Sequence, residues 1–249
     1  VKVAEELGVP LYNDYTLLLK QEDLDAVAIA LPNTLHVQST ELALAAGIKN
    51  ILLEKPIANT VEEAEHIIKI CEDAGATLLV GHHRRSSNRY QLLRQVIDSG
   101  KLGKIMRVHA TYDQDMLLDP SIPIAWRHIN KLAGSGALGD LCSHLLSVSQ
   151  MIMGDMSEVL GVQSIVIPER PVKAGSTEMG KVENDDLITF LVKYENGAIG
   201  DFSSSRVATG RKNYFYYEIQ GTEGSVVYDL ERMCEVQVYF KADADKDNG

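Results

Sequence analysis

Glu54-Lys55-Pro56 follows directly on the apolar run Ile51-Leu52-Leu53, so a carboxylate and an ammonium stand at the carboxyl edge of what reads as a buried strand. Open α/β sheets bind ligands and carry out their chemistry at that edge. Asp140 and His144 lie four residues apart where an apolar-periodic segment begins, and on a helix that spacing puts both side chains on one face. An ammonium, a carboxylate and an imidazole suit proton transfer.

The elements that must hold these groups are legible from periodicity. Three short apolar runs each deliver polar groups at their carboxyl ends: Ala26 to Ala30 before Leu31-Pro32-Asn33, Asn50 to Leu53 before Glu54-Lys55-Pro56, and Thr77 to Val80 before Gly81-His82-His83-Arg84. Alternation with helical patterns makes them βαβ units of a parallel sheet. Between the second and third runs, Val61, Ala64, Ile67, Ile68, Cys71 and Ala74 recur at helical spacing; Thr60 with Glu63 forms a capping box and Gly75 ends the helix. At about 100° per residue a helix starting at Asp140 sets His144 near 40°, with Leu141, Leu145, Val148 and Ile152 at about 80–140°. The polar pair then borders the apolar stripe.

Near Gly100 to Gly103 the pattern changes, and a domain boundary is expected there, giving domains 1–102 and 103–249. The second domain reads as an antiparallel meander: Val182 to Tyr194, Ile199 to Arg206, Tyr214 to Gln220, Ser225 to Asp229 and Glu235 to Lys241 are strand-like, with Glu195-Asn196-Gly197 and Gly221-Thr222-Glu223-Gly224 as turns and a polar tail from Ala242 to Gly249. Gly134-Ser135-Gly136-Ala137-Leu138-Gly139 has the letters of the dinucleotide fingerprint GxGxxG, but no buried strand runs into it, so it reads as a flexible turn. No glycine-rich turn of the required kind precedes Ala26, which makes the chain read as a piece truncated at its front.

A formal net charge of -11 argues against nucleic-acid and anionic-membrane partners, and no apolar stretch is long enough for a membrane span. Cys71, Cys142 and Cys234 lie far apart, without the paired spacing of a metal site or a disulfide framework, so no metal is expected and a cytoplasmic location fits.

The ordered set Leu31-Pro32-Asn33 with His36, Glu54-Lys55-Pro56, Trp126-Arg127, then the glycine-rich turn into Asp140 and His144, resembles the Gfo/Idh/MocA family (glucose-fructose oxidoreductase, inositol dehydrogenase and rhizopine-catabolism type) over nearly the whole chain. The resemblance implies an α/β fold: a partial Rossmann domain, with a doubly wound parallel sheet, followed by an α/β domain with an open, mostly antiparallel sheet. It implies NAD or NADP as cofactor and oxidation or reduction of a hydroxyl or carbonyl of a sugar, sugar derivative or cyclitol. Pro32, Asn33, His36, Glu54 and Lys55 are implied to meet the cofactor, with Trp126 and Arg127 reaching it from the second domain. Lys55, Asp140 and His144 are the implied catalytic set, Lys55 as cation or proton acceptor and His144 as acid/base. Trp126 and Arg127 stacked on one another is the plainer alternative for that pair. Arg84, Arg85, Asp113, Gln114, Asp115 and Asn130 are secondary candidates. The segment beyond Lys241 is shorter than the family's usual finish.

Two other classes share these residues: a dinucleotide-sensing regulator without turnover, and an enzyme that uses the nicotinamide transiently for glycoside cleavage or elimination, with no net redox change. A homo-oligomer, dimer or tetramer, through the exposed face of the second sheet is expected.

Overall fold

The computed structural model describes residues 2–232 and 234–244; positions 245–249 of the polar tail lie outside the described residues. The chain forms two compact units, Val1–Gly81 and His82–Gly249. Residues 82–102, grouped with the first domain on sequence grounds, fall in the second unit, where Tyr90 and Leu93 are buried in its core.

The first unit opens with α1 (Lys2–Leu7) and α2 (Tyr15–Gln21). It continues as β1 (Ala26–Ile29), α3 (His36–Ala45), β2 (Asn50–Leu53), α4 (Val61–Asp73) and β3 (Thr77–Val80). The strands pair in parallel in the order β1-β2-β3, with Ile29 opposite Leu53 and Leu53 opposite Val80. That register aligns the three carboxyl ends on one edge. Apolar spacing along α4 turns Ile67 and Cys71 onto Ile29, Ala43, Ile51 and Leu53. At its start the Thr60 hydroxyl accepts the Glu63 amide at 3.1 Å, while the Glu63 carboxylate reaches back to the amide of Asn59 instead of Thr60, also at 3.1 Å. Gly75, at φ +61°, ends the helix in the left-handed conformation that glycine adopts without steric cost.

The second unit runs α5 (Asn88–Asp98), β4 (Ile105–Asp113), α6 (Asn130–Ala133), α7 (Ser143–Met153), β5 (Met156–Ser164), β6 (Glu169–Pro171), β7 (Met179–Lys181), β8 (Leu187–Tyr194), β9 (Ile199–Ser205), β10 (Tyr214–Gly221), β11 (Gly224–Asp229), β12 (Gln237–Phe240) and α8 (Lys241–Ala244). Its seven-stranded sheet has the order β12-β11-β10-β4-β9-β8-β5, with β6 and β7 forming a separate ribbon. All neighbours in the large sheet are antiparallel except β4 and β9, which run parallel. The expected meander is thus interrupted by β4, inserted between β9 and β10.

Period-2 alternation decides which face is covered. Ile188, Phe190, Val192 and Tyr194 of β8 point inward with Phe202, Phe215, Tyr217 and Ile219, and pack with Tyr90, Leu93, Leu141, Leu145 and Val148. The outward residues Leu191 and Ile199 stay 55% and 56% exposed. Phe202 is 1% exposed and stacks on Phe190 at 5.1 Å. Phe202→Ala is expected to cost about 3–5 kcal/mol, measured by denaturant unfolding, because it removes ring contacts and leaves a cavity that close-packed neighbours cannot fill.

The strand expected from Val182 begins only at Leu187. Residues 183–186 leave the ladder because their side chains bond to other backbone segments, as described below.

Candidate active site

At the edge formed by the strand ends of the first unit, Pro32 is half-buried, Asn33 is buried and Glu54 is exposed. Parallel pairing carries on past the strands: the Glu54 amide donates to Ile29 O at 2.9 Å and the Gly81 amide to Leu53 O at 2.8 Å. The Glu54 carboxylate accepts the Lys55 amide at 3.1 Å, and the Lys55-Pro56 bond is cis. Gly81 gives that carboxylate its room, since a Cβ there would lie 3.2–3.3 Å from its atoms. His36 is fully buried, its ring nitrogens facing Leu31 O at 3.0 Å and Ile57 O at 3.2 Å. The imidazole thus ties the loop after β1 to the loop after β2, and in this structure it presents no surface of its own to a ligand.

In the second unit Asp140 does not open an α-helix. It lies in a π-helical turn, Leu138–Cys142, where the Ser143 amide reaches back five residues to the Leu138 carbonyl, and α7 follows. A single 100° step therefore does not relate Asp140 to His144. Such wide turns concentrate at functional positions. Asp140 is partly exposed and lies 3.9 Å from the Arg127 guanidinium. His144 is 5% exposed, its ring set edge-on to His83 (5.3 Å), Tyr112 (5.9 Å) and His82 (6.1 Å).

The secondary candidates divide. Arg84 donates to the Tyr112 hydroxyl at 2.7 Å and lies over the Phe215 ring, while Arg85 donates to Ser147 O at 3.0 Å. Both basic residues after β3 are used within the second unit. Gln114 donates to Tyr112 Oη at 3.1 Å and Asn213 Oδ1 at 3.2 Å, leaving amide chemistry beside the same tyrosine. Burial raises the Asp113 carboxyl above the usual aspartate range, whereas Asp115 is held below it, chiefly by the Lys212 ammonium at 2.6 Å. Asn130 is occupied in its own loop, donating to Gly134 O and Asn184 Oδ1.

Arg127 stacks over Trp126 with 4.4 Å from guanidinium carbon to ring centre. Their turn is held by His128, which is 1% exposed and whose Nδ1 accepts the Ala125 amide at 2.9 Å. An accepting Nδ1 requires the neutral ring. Burial first, and then the charges of Arg170 and Arg206, hold the His128 pKa below its ordinary 6.5. A depressed imidazole contributes stability that is present above about 6.5 and is lost as pH falls through the lower folded value. Thermal unfolding is therefore expected to show a midpoint that declines on acidification below that range, with a shallower decline in His128→Gln, whose amide oxygen accepts without titrating.

The GxGxxG look-alike has a different use from phosphate binding. Asp185 fills it: the Gly136 amide donates to Asp185 Oδ1 at 2.7 Å and the Leu138 amide to Oδ2 at 2.9 Å. A Cβ on Gly136 would fall 1.8 Å from the Asp185 carbonyl oxygen, so only glycine allows this approach. Sequence reasoning missed Asn184-Asp185-Asp186, three polar residues that interrupt an apolar strand pattern and are nonetheless 2%, 4% and 0% exposed. It also missed Arg170 and Arg206, both fully buried; the two terminal nitrogens of Arg170 donate to the carbonyls of Asp119 and Leu117.

A parallel βαβ unit with polar groups at its carboxyl edge, followed by a unit built on an open, mostly antiparallel sheet, is the architecture of a nucleotide-binding α/β protein with a second domain. Residues 1–82 match the oxidoreductase family with an NAD-binding Rossmann fold, and residues 90–227 match the GFO/IDH/MocA C-terminal domain. The chain belongs to the GFO/IDH/MocA family. It is 36% identical over 242 residues to levoglucosan dehydrogenase of Pseudarthrobacter phenanthrenivorans, covering 93% of this chain and 62% of the relative. A solved levoglucosan dehydrogenase in complex with NADH and L-sorbose superposes with a TM-score of 0.90 at 36% identity, over 97% of this chain and 64% of that one. It is also 25% identical to 2,7-anhydro-N-acetylneuraminate hydratase of Mediterraneibacter gnavus, over 97% of this chain and 60% of the relative. The chain thus spans about three fifths of the length of these relatives.

Proposed function

We propose that this chain is the larger part of an NAD(P)-dependent oxidoreductase acting on a hydroxyl or carbonyl of a sugar, sugar derivative or cyclitol. The observation that carries the reading is the coincidence of Lys55 at the carboxyl edge of β2 and of Asp140 and His144 on the segment entering α7 with the two halves of a nicotinamide oxidoreductase family.

The fit to a dinucleotide rests on the strand edge. Asn33 and Glu54 supply amide and carboxylate groups suited to ribose hydroxyls, with Pro32 beside them. His36 supports that edge by holding its two loops, and Trp126 and Arg127 offer an aromatic and cationic surface in the second unit. When bound, the nicotinamide supplies the acceptor or donor of the hydride. Lys55 is the cation that stabilises negative charge developing on the substrate oxygen. His144 moves the hydroxyl proton, because imidazole is the side chain whose ordinary titration lies nearest neutrality. Asp140 orients the hydroxyl. The test is a panel of polyols and aldoses with NAD and NADP on the full-length protein, followed by reduced-cofactor absorbance; tight dinucleotide binding with no turnover on any of them would instead mark a sensor.

The hydratase relative favours one second reading, transient oxidation of a sugar carbon with no net redox change. Product formation without stoichiometric NADH would select it.

The same reading includes a cytoplasmic homo-oligomer. Among the described residues no helix is long and apolar enough to cross a membrane. The oligomer is supported by Leu160 and Val162 of β5, which share the outward face of the sheet with Leu191 and are 74% and 72% exposed. Light scattering on the eluted protein checks the oligomer.

A further inference from the structure

Resting on the catalytic assignment of Asp140, we propose that Asp185 is a positioning residue: its carboxylate sets the π-helical turn that presents Asp140. The two oxygens of Asp185 accept the amides of Gly136 and Leu138, and the Gly136 carbonyl in turn accepts the Asp140 amide at 3.0 Å. Only two consecutive hydrogen bonds separate the buried carboxylate from the backbone of the proposed catalytic one.

Asp185 is itself fixed from both sides. The Ala137 amide donates to its carbonyl at 2.9 Å, and the buried Arg206 guanidinium donates to that same oxygen at 2.9 Å. Arg206 lies 3.8 Å from Asp186. The neighbouring residues extend the clamp: Asn184 donates to Arg127 O at 2.9 Å, the Glu183 amide donates to His128 O at 2.9 Å, and the Glu183 carboxylate accepts the Asn130 amide at 2.9 Å. The three residues Glu183, Asn184 and Asp185 therefore tie the turn bearing Trp126 and Arg127 to the turn bearing Asp140. Charge-assisted bonds to backbone amides are the stronger kind, and in a buried setting no water replaces them.

The experiment compares Asp185→Asn and Asp140→Asn in the full-length protein. Asparagine keeps the shape of Asp185 but turns an amino group toward one of the two donors. Asp185→Asn is expected to keep dinucleotide affinity within about twofold, to lower kcat at least tenfold and to change KM less than threefold. A kcat within twofold of the parent, while Asp140→Asn is inactive, overturns the positioning role; so does a loss spread equally over cofactor affinity, KM and kcat. Normal turnover in Asp140→Asn instead overturns the catalytic assignment beneath it. Should Asp185→Asn not fold, amide hydrogen exchange in the parent decides: slow exchange at Gly136 and Leu138 supports the clamp, and exchange as fast as in open loops refutes it.

Discussion

Lys55→Met is expected to lower turnover on the best polyol substrate by about a thousandfold, the range seen when one preorganised charge is removed from a developing oxyanion. Methionine keeps the length and apolar stem of lysine, so the strand-end geometry persists. Lys55 is only half-buried and follows β2 instead of lying within it, so the thermal midpoint should move by no more than a few degrees. Dinucleotide affinity, read by fluorescence titration, separates the two ways the variant can fail. Unchanged affinity with collapsed kcat places the ammonium at the reacting carbon; parallel losses place it on the cofactor. A variant that keeps near-parental turnover removes Lys55 from the chemistry.

His144→Ala is the second large effect. Loss of a proton-transfer group lowers kcat by about 10²–10⁴-fold and flattens the dependence of kcat on pH through the imidazole range. Stability also falls here, by about 1–3 kcal/mol, because the ring is 5% exposed and packs among His82, His83 and Tyr112. His144→Gln keeps more of that volume without titrating, and should therefore recover stability but not turnover. Recovery of both would make His144 a packing residue.

The three parallel strands and α4 were legible because their signals are local: an apolar run, a cap, a glycine and a helical period. β4 was hidden by composition, since its inward residues are Val108, Ala110 and Tyr112 with His109 and a buried Thr111 between them, a weak alternation. β5 escaped because an edge strand whose residues after Met156 are all exposed has no buried face to betray it. Lys55, Asp140 and His144 become candidates by chemistry and spacing. Asp185 could not, because a carboxylate spent on backbone amides looks in sequence like any loop acid. The π-helical turn was equally invisible: no residue type prescribes it, and the angular reading of Asp140 against His144 assumed a regular helix that Asp185 and Ser143 do not allow.

The bare α-carbon of Gly81 has a consequence for tuning. A methyl group at that spot would act as a wedge against the Glu54 carboxylate, whose nearest atom is 3.2 Å away, tilting it off the Lys55 amide by a few tenths of an ångström. The charge environment of the ammonium would then be adjusted from the adjoining strand, with no ionisable residue replaced.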